Sequence, residues 1–145
     1  MPNDPRIITL RTKVATYGKE NQGELLYALA EGGRLLSGSS RVRIYLEDLT
    51  SGVLSCVHVA GQMAEAIREQ SFPIISTETA VSSVFVSQYP LDFRVATAAA
   101  DSPDSLFAQR FGFRSSYVMP VVSLGKSIGV LCIDQDNRAK TSYFK

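Results

Sequence analysis

Ser115 to Asp134 reads SSYVMPVVSLGKSIGVLCID, two apolar runs joined at Leu124-Gly125-Lys126-Ser127. A two-residue turn at Leu124-Gly125 or at Gly125-Lys126 makes this stretch a β-hairpin. Either turn puts Tyr117, Met119, Val121, Ile128, Val130 and Cys132 on one face, and Val118, Pro120, Val122, Gly129, Leu131 and Ile133 on the other. Both faces are apolar, so the hairpin is expected at the centre of its sheet, with helices over one side and further apolar structure over the other.

The Gly125-Lys126-Ser127 at the hinge invites a phosphate-loop reading, which the surroundings exclude. A P-loop needs a glycine five residues before the one that precedes its lysine, so that successive N–H groups curl around the phosphates. That position is Pro120, which has no N–H to offer. The turn also joins strand to strand, whereas a P-loop joins strand to helix.

Working back from the hairpin, the chain is irregular from Tyr89 to Asp104, and then a helical turn through Leu106, Phe107 and Phe111 leads to Gly112. Long irregular segments in compact domains are often functional. Before them, Thr77 to Gln88 is expected to be a helix with Val81, Val84, Phe85 and Gln88 along one side. Phe72 to Ile75 is expected as a short edge strand, where Pro73 is tolerated, and Gln62 to Gln70 as a short helix. Arg41 to Leu49 alternates Val42, Ile44 and Leu46 against Arg43, Tyr45 and Glu47, and Val53 to Val59 follows at hairpin distance. A helix from about Asn21 to Leu36 carries Leu25, Leu29 and Leu36 on one stripe, and Ser37-Gly38-Ser39-Ser40 ends it. Within residues 1–20, Ile7, Leu10, Val14 and Tyr17 form a helical seam suited to a partner helix.

The chain of 145 residues suits one core. Its net charge of +1 gives no field that would favour nucleic acid or an anionic membrane surface. The longest apolar runs fall far short of the roughly 20 residues a membrane-spanning helix needs. Cys56 and Cys132 stand alone in apolar stretches, without a CxxC pair, which suits two buried thiols in a reducing, cytoplasmic setting better than a disulfide or zinc framework. The lone His58 has no second His or carboxylate cluster beside it, so no metal site and no catalytic relay is expected. Glu47 and Asp48 point to opposite faces of a strand and cannot work as an acid–base pair; Asp48 is read as a turn residue.

Several of these stretches together resemble a GAF domain, the small antiparallel-sheet sensory module of signalling proteins, from about Glu24 to Asp134. The residues that carry the resemblance are Val42-Arg43-Ile44-Tyr45-Leu46-Glu47-Asp48, Gly52 to Leu54, Gly61, Asp101, Phe111-Gly112-Phe113-Arg114-Ser115, Met119-Pro120-Val121 and Ile128-Gly129-Val130-Leu131. The resemblance implies an α+β, GAF/PAS-like fold with a central antiparallel sheet in the order 2-1-5-4-3. Terminal helices would cover one face, and a helical and irregular lid, residues 77–114, the other. Residues 1–20 would be a helical dimer seam and 21–145 the domain proper. Because such domains usually continue into a long C-terminal helix, the chain reads as a fragment of a larger protein.

The resemblance also implies a non-catalytic sensor that binds a small molecule under its lid and signals to an output domain outside this chain, as a homodimer through its N-terminal helices. The lid would bring Phe85, Tyr89, Asp101 and Arg114 over a floor formed by Tyr45, Ser115, Tyr117 or Met119. The ligand is left unnamed, and no cofactor is assigned. No cysteine lies between Val57 and Leu131, which argues against the family's methionine sulfoxide reductases and its bilin carriers. The cyclic-nucleotide signature Asn-Lys-x-Phe-Asp-Glu is also missing. The alternatives are a ligand-free dimerisation or protein-interaction module of the same fold and, less favoured, a thiol-dependent enzyme.

Overall fold

The computed structural model describes residues 30–32, 41–76 and 78–136. β1 (Arg41–Asp48) and β2 (Val53–Gly61) form the first hairpin. At its turn the Asp48 carboxylate accepts the N–H groups of Thr50 and Ser51, and Gly52 takes a φ of 69°. Asp48 is thus the turn residue its position suggests. The chain continues through α1 (Ala64–Arg68), β3 (Ser71–Pro73), α2 (Ala80–Ser87), β4 (Leu91–Arg94), a single 3-10 turn (Val95–Thr97) and α3 (Pro103–Phe111). β5 (Ser115–Ser123) and β6 (Lys126–Gln135) complete it, joined by a two-residue turn with Leu124 at φ 52° and Gly125 at φ 77°. Two successive positive φ angles give the turn whose twist matches the flanking strands.

The strands form one antiparallel sheet in the order β3-β2-β1-β6-β5-β4. The inner order, with the first hairpin beside the last, is the expected one. The edges differ: the strand at 71–73 pairs with β2, and the place beside β5 is taken by Leu91–Arg94, a stretch expected to be irregular. Val95–Thr97 follows at once, with the Val95 N–H donating to the Arg114 carbonyl.

The second correction concerns the faces of the hairpin. Ser123 pairs with Lys126 and Val122 with Ser127, but Val121 pairs with Gly129, so Ile128 is an extra residue. One bulged residue flips every side chain beyond it. Tyr117, Met119, Leu131 and Ile133 therefore share one face, and Val118, Val130 and Cys132 the other. A similar shift lies between Ile44 and Tyr45, where Val57 is the extra residue of β2.

Each face has its own core. Val42, Ile44, Ala60, Tyr117, Met119, Leu131 and Ile133 pack with Ala30, which belongs to helical residues 30–32, so a helix covers this side as expected. The remainder of the expected helix over 21–36 and the seam over 1–20 lie outside the described residues. The opposite face carries Tyr45, Leu54, Val118, Val130 and Cys132 under α2 and α3, through Val81, Val84, Phe85 and Phe111. Each fully buried aliphatic side chain here contributes about 1.5–3 kcal/mol relative to exposure.

The lid helices have local start and stop signals. Thr79 caps α2 by accepting from the Ser82 N–H, so the helix begins at Ala80, three residues later than the start read from the sequence. Ser102 caps α3 by accepting from the Ser105 N–H at 3.2 Å, Pro103 follows in the first turn, and Gly112 ends the helix at φ 75°.

Candidate ligand-binding site

Strand alternation points Arg41, Arg43 and Tyr45 toward the lid, although Arg41 and Arg43 look like solvent-facing residues of a half-exposed strand. Register then brings them a counter-charge. Arg41 lies opposite Asp134 on β6, and Asp134 lies opposite Ser116 on β5, so the three form one cross-strand row. The next row is Arg43, Cys132 and Val118.

Asp134 is completely buried, and both arginines are 3% exposed. The Arg43 guanidinium grips Asp134 with two prongs, Nε to Oδ2 at 2.9 Å and Nη2 to Oδ1 at 2.9 Å. Its Nη1 donates to the Tyr45 hydroxyl at 2.9 Å and its Nη2 to the Ser116 hydroxyl at 3.3 Å. Arg41 donates from Nε to Asp134 at 2.8 Å, and from Nη1 to the carbonyls of Gln62 and Phe111. Phe111 ends α3, so Arg41 also caps the negative end of that helix.

Aromatic rings enclose the charge. Arg43 stands 4.9 Å from the centre of the Phe107 ring and 5.2 Å from that of Phe113. Phe107 in turn touches Phe72, Phe111 and Phe113, and Phe72 meets Tyr45 edge-on at 5.3 Å. Burial alone would pull the Arg43 pKa down, but the Asp134 carboxylate outweighs it, and the guanidinium is held well above its ordinary value. Burial also pushes the Tyr45 phenol well up, so it serves Arg43 as a neutral acceptor.

Above this cluster a cleft opens between the sheet and the lid, walled by Phe72, Phe93, Phe107 and Phe113, with Arg43, Ser116 and Asp104 as its polar groups. Its empty space is about 280 Å³ counted out to solvent, while the cavity proper is about 10 Å³, room for about one water. Asp104, in the first turn of α3, accepts the Ala80 N–H of α2 with both oxygens, at 3.1 and 2.9 Å, and so ties the two lid helices together. Burial pushes its pKa up, against the hydrogen bond from Ala80 and the charge of Arg43.

Of the residues expected to line a pocket, Tyr45 and Phe85 are buried on the lid side of the sheet, Tyr45 as the acceptor for Arg43 and Phe85 in the apolar core. Tyr117 and Met119 face the opposite core, where they pair with Ile133 and Leu131 of β6. Ser115 shares their side of β5, and it is its neighbour Ser116 that reaches the cleft. Tyr89, Asp101 and Arg114 are exposed. The helix cap near Asp101 is Ser102, and the lid carboxylate that reaches the cleft is Asp104. The signal available for Arg43 was an arginine alternating with Val42 and Ile44 in a strand whose other neighbour is an apolar hairpin ending in Asp134. A charge on a strand covered on both faces must be paired.

The two thiols lie deep in the same core. Burial raises Cys56 to about 11 and Cys132 to about 12. Both are therefore thiols at neutral pH, and the folded protein is expected to resist alkylation by iodoacetamide at pH 7.5 until denaturant is added. Rapid labelling of either cysteine in the native state, read by mass spectrometry, would contradict this burial. Among the described residues no group of three or more His, Cys, Asp or Glu side chains is placed to hold a metal ion, and no helix is long and apolar enough to cross a membrane.

A search of curated protein sequences gives no match. Solved structures with the same fold include the GAF domain of an Acinetobacter phosphoenolpyruvate-protein phosphotransferase, 14% identical, with a TM-score of 0.65 over 95% of this chain and 82% of that one. Another is the free methionine-R-sulfoxide reductase of Neisseria meningitidis in complex with its substrate, 21% identical, with a TM-score of 0.66 over 94% and 78%. A third is the NreA protein of Staphylococcus aureus, mutated in its nitrate binding site, 12% identical, with a TM-score of 0.69 over 83% and 89%. The sequence profile of the GAF domain matches residues 22–144. With that match over most of its length, and the antiparallel sheet, helix and lid that its structure displays, this chain belongs to the GAF domain family, whose members are sensory and regulatory domains of signalling proteins.

Proposed function

We propose that this domain is a non-catalytic sensor that binds a small molecule between its sheet and its lid and passes the resulting bias to an output domain in the same signalling protein. The observation that carries the reading is the cleft over Arg43. A buried guanidinium, a buried hydroxyl and a lid carboxylate converge there among four phenylalanines. Apolar walls with a few placed polar groups suit a small organic ligand. Two proteins of similar fold are described with small-molecule sites, one for nitrate and one for a sulfoxide substrate. Asp104 joins α2 to α3 in the wall of the cleft, so a ligand that alters this contact changes the lid by its differential affinity for the two arrangements.

The test is a thermal-shift screen of the purified chain against a metabolite library, with mass spectrometry of small molecules released on denaturation. A ligand that raises the melting temperature, and loses its effect in Ser116→Ala, supports the sensor. A second reading, a ligand-free interaction module, is favoured by the small size of the cavity proper, about 10 Å³. An absence of any shift across the library, together with a stable dimer by light scattering, would favour that module. In either case the dimer contact is assigned to the N-terminal segment and its seam of Ile7, Leu10, Val14 and Tyr17. The buried, protonated thiols argue against a thiol-dependent enzyme.

A further inference from the structure

Independently of the cleft and of the N-terminal seam, we propose that the outer edge of β4 is an interaction surface for a second copy of this chain, the two edges pairing antiparallel about Phe93.

β4 is the last strand on its side of the sheet, with β5 along one edge and no strand along the other. Alternation decides which groups face outward. The Val95 N–H donates to the Arg114 carbonyl, and the ladder continues from there with Phe93 opposite Ser116 and Leu91 opposite Val118. In an antiparallel pair every second residue turns its N–H and C=O toward the partner strand, here Leu91 and Phe93, so those of Asp92 and Arg94 point to the free edge. Among the described residues the one bond on that edge is long, from the Thr97 hydroxyl to the Arg94 carbonyl at 3.4 Å, and it leaves the second lone pair of that oxygen open. The opposite edge of the sheet is closed by comparison. Its strand β3 has three residues, ends in Pro73, and gives the Pro73 carbonyl to the Ser82 hydroxyl of α2.

The order of charges along the edge selects a copy of this chain as the partner. Asp92, Phe93 and Arg94, read against themselves in antiparallel register, set Phe93 opposite Phe93 and Asp92 of each copy opposite Arg94 of the other. The same register makes Asp92 and Arg94 the pairs that exchange N–H···O bonds, and Phe93 the closely approaching pair between them. Asp92 and Arg94 lie on one side of the sheet, in register with Tyr117 and Ser115. Within one copy Arg94 folds back on Asp92, with Nε and Nη2 at 3.1 and 3.0 Å from Oδ2, and the two side chains are 42% and 37% exposed, within reach of a second copy. Leu91, itself 42% exposed, comes opposite Val95 of the other copy and is withdrawn from water. Such a contact is isologous and closes on itself. A strand this short keeps it below the standard interface size, so the association is weak and concentration-dependent.

Sedimentation equilibrium of the full chain at constant ionic strength, from about 10 µM to about 1 mM, covers the range for an interface of this size. Wild type is expected to gain mass reversibly with concentration. Asp92→Arg and Arg94→Asp each place like charges opposite one another on both sides of the two-fold, and each is expected to weaken that association at least about tenfold. An equimolar mixture of the two variants brings opposite charges together again and is expected to associate within about threefold of wild type. The doubly exchanged chain, Asp92→Arg with Arg94→Asp, is expected to do the same on its own, which keeps the result readable where a single variant folds poorly. Association through another surface, the N-terminal seam included, is common to all these samples and cannot imitate the loss and the recovery. Loss in the single variants with recovery in the mixture or the doubly exchanged chain supports the pairing. It is overturned if wild type gains no mass over this range, if the single variants associate as tightly as wild type, or if neither the mixture nor the doubly exchanged chain recovers the association.

Discussion

Asp134→Asn is expected to destabilise the fold by about 3–5 kcal/mol, a fall in melting temperature of about 10–20 °C for a domain of this size. The side chain it alters is completely buried and accepts hydrogen bonds from Arg41 at one oxygen and from Arg43 at both. Asparagine preserves the shape but removes the only buried negative charge among the described residues facing two buried guanidiniums. It also turns one acceptor into an NH₂ that points at a donor. Neither arginine can escape by losing its proton, because guanidinium stays charged at any working pH. The Coulomb attraction of the cluster need not exceed its desolvation cost for this result to hold, since the penalty comes from leaving charges unpaired. A triple replacement, Arg41→Met, Arg43→Met and Asp134→Leu, is accordingly expected to be milder than the single one. Recovery stays incomplete because the carbonyls of Gln62 and Phe111 lose the donor Arg41 gives them. Urea denaturation of the variants measures both effects, and a wild-type midpoint for Asp134→Asn would show that the buried cluster contributes nothing.

Gly129→Ala is expected to cost at least about 3 kcal/mol, at the severe end of overpacking. A Cβ at Gly129 would lie 2.2 Å from the Tyr45 carbonyl oxygen and 2.7 Å from Leu46 Cδ2. The leucine methyl can swing aside; the carbonyl belongs to the neighbouring central strand and cannot move without Tyr45. That ring is fully buried, packs against Phe72 and accepts from Arg43, so relief at position 129 propagates into the site. The requirement is for close approach of two backbones rather than for an unusual backbone angle. A thermal melt of the variant within about 2 °C of wild type, less than a 1 kcal/mol change would produce in a domain of this size, would mean that β1 and β6 have slack the structure does not show.

The fold was largely legible because its signals are local. Alternation in Arg41–Asp48 and Val53–Gly61, the two apolar runs about Leu124-Gly125, the Asp48 turn and the Gly112 helix stop each depend on residues near in sequence. Strand β4 was not legible. Leu91–Arg94 is four residues long and lies at a sheet edge, Leu91 and Asp92 are exposed, and its strand character comes from pairing with Val118 to Ser115. A segment of that length has too little periodicity to announce itself.

The site was less legible than the fold because one bulged residue decides it. Without Ile128 as an extra residue, the face of β6 now turned to the lid would carry Leu131 and Ile133 instead of Val130, Cys132 and Asp134. The two arginines of β1 would then have no carboxylate beside them. Bulge positions depend on how both neighbouring strands pack, and the sequence of the hairpin alone fits either register.

The sequence by itself determined the class of fold, the central place of the last hairpin and the exclusion of a phosphate loop at Gly125-Lys126-Ser127, because periodicity, turn chemistry and the missing N–H of Pro120 are properties of short segments. Only the tertiary structure decided that Arg43, Asp134, Ser116 and Asp104 meet at one cleft, and that Tyr117, Met119 and Arg114 stay away from it. These residues lie on three strands and a lid helix, and their meeting depends on register across strands distant in the chain, which chain-local physics leaves free and packing on both faces of the sheet fixes.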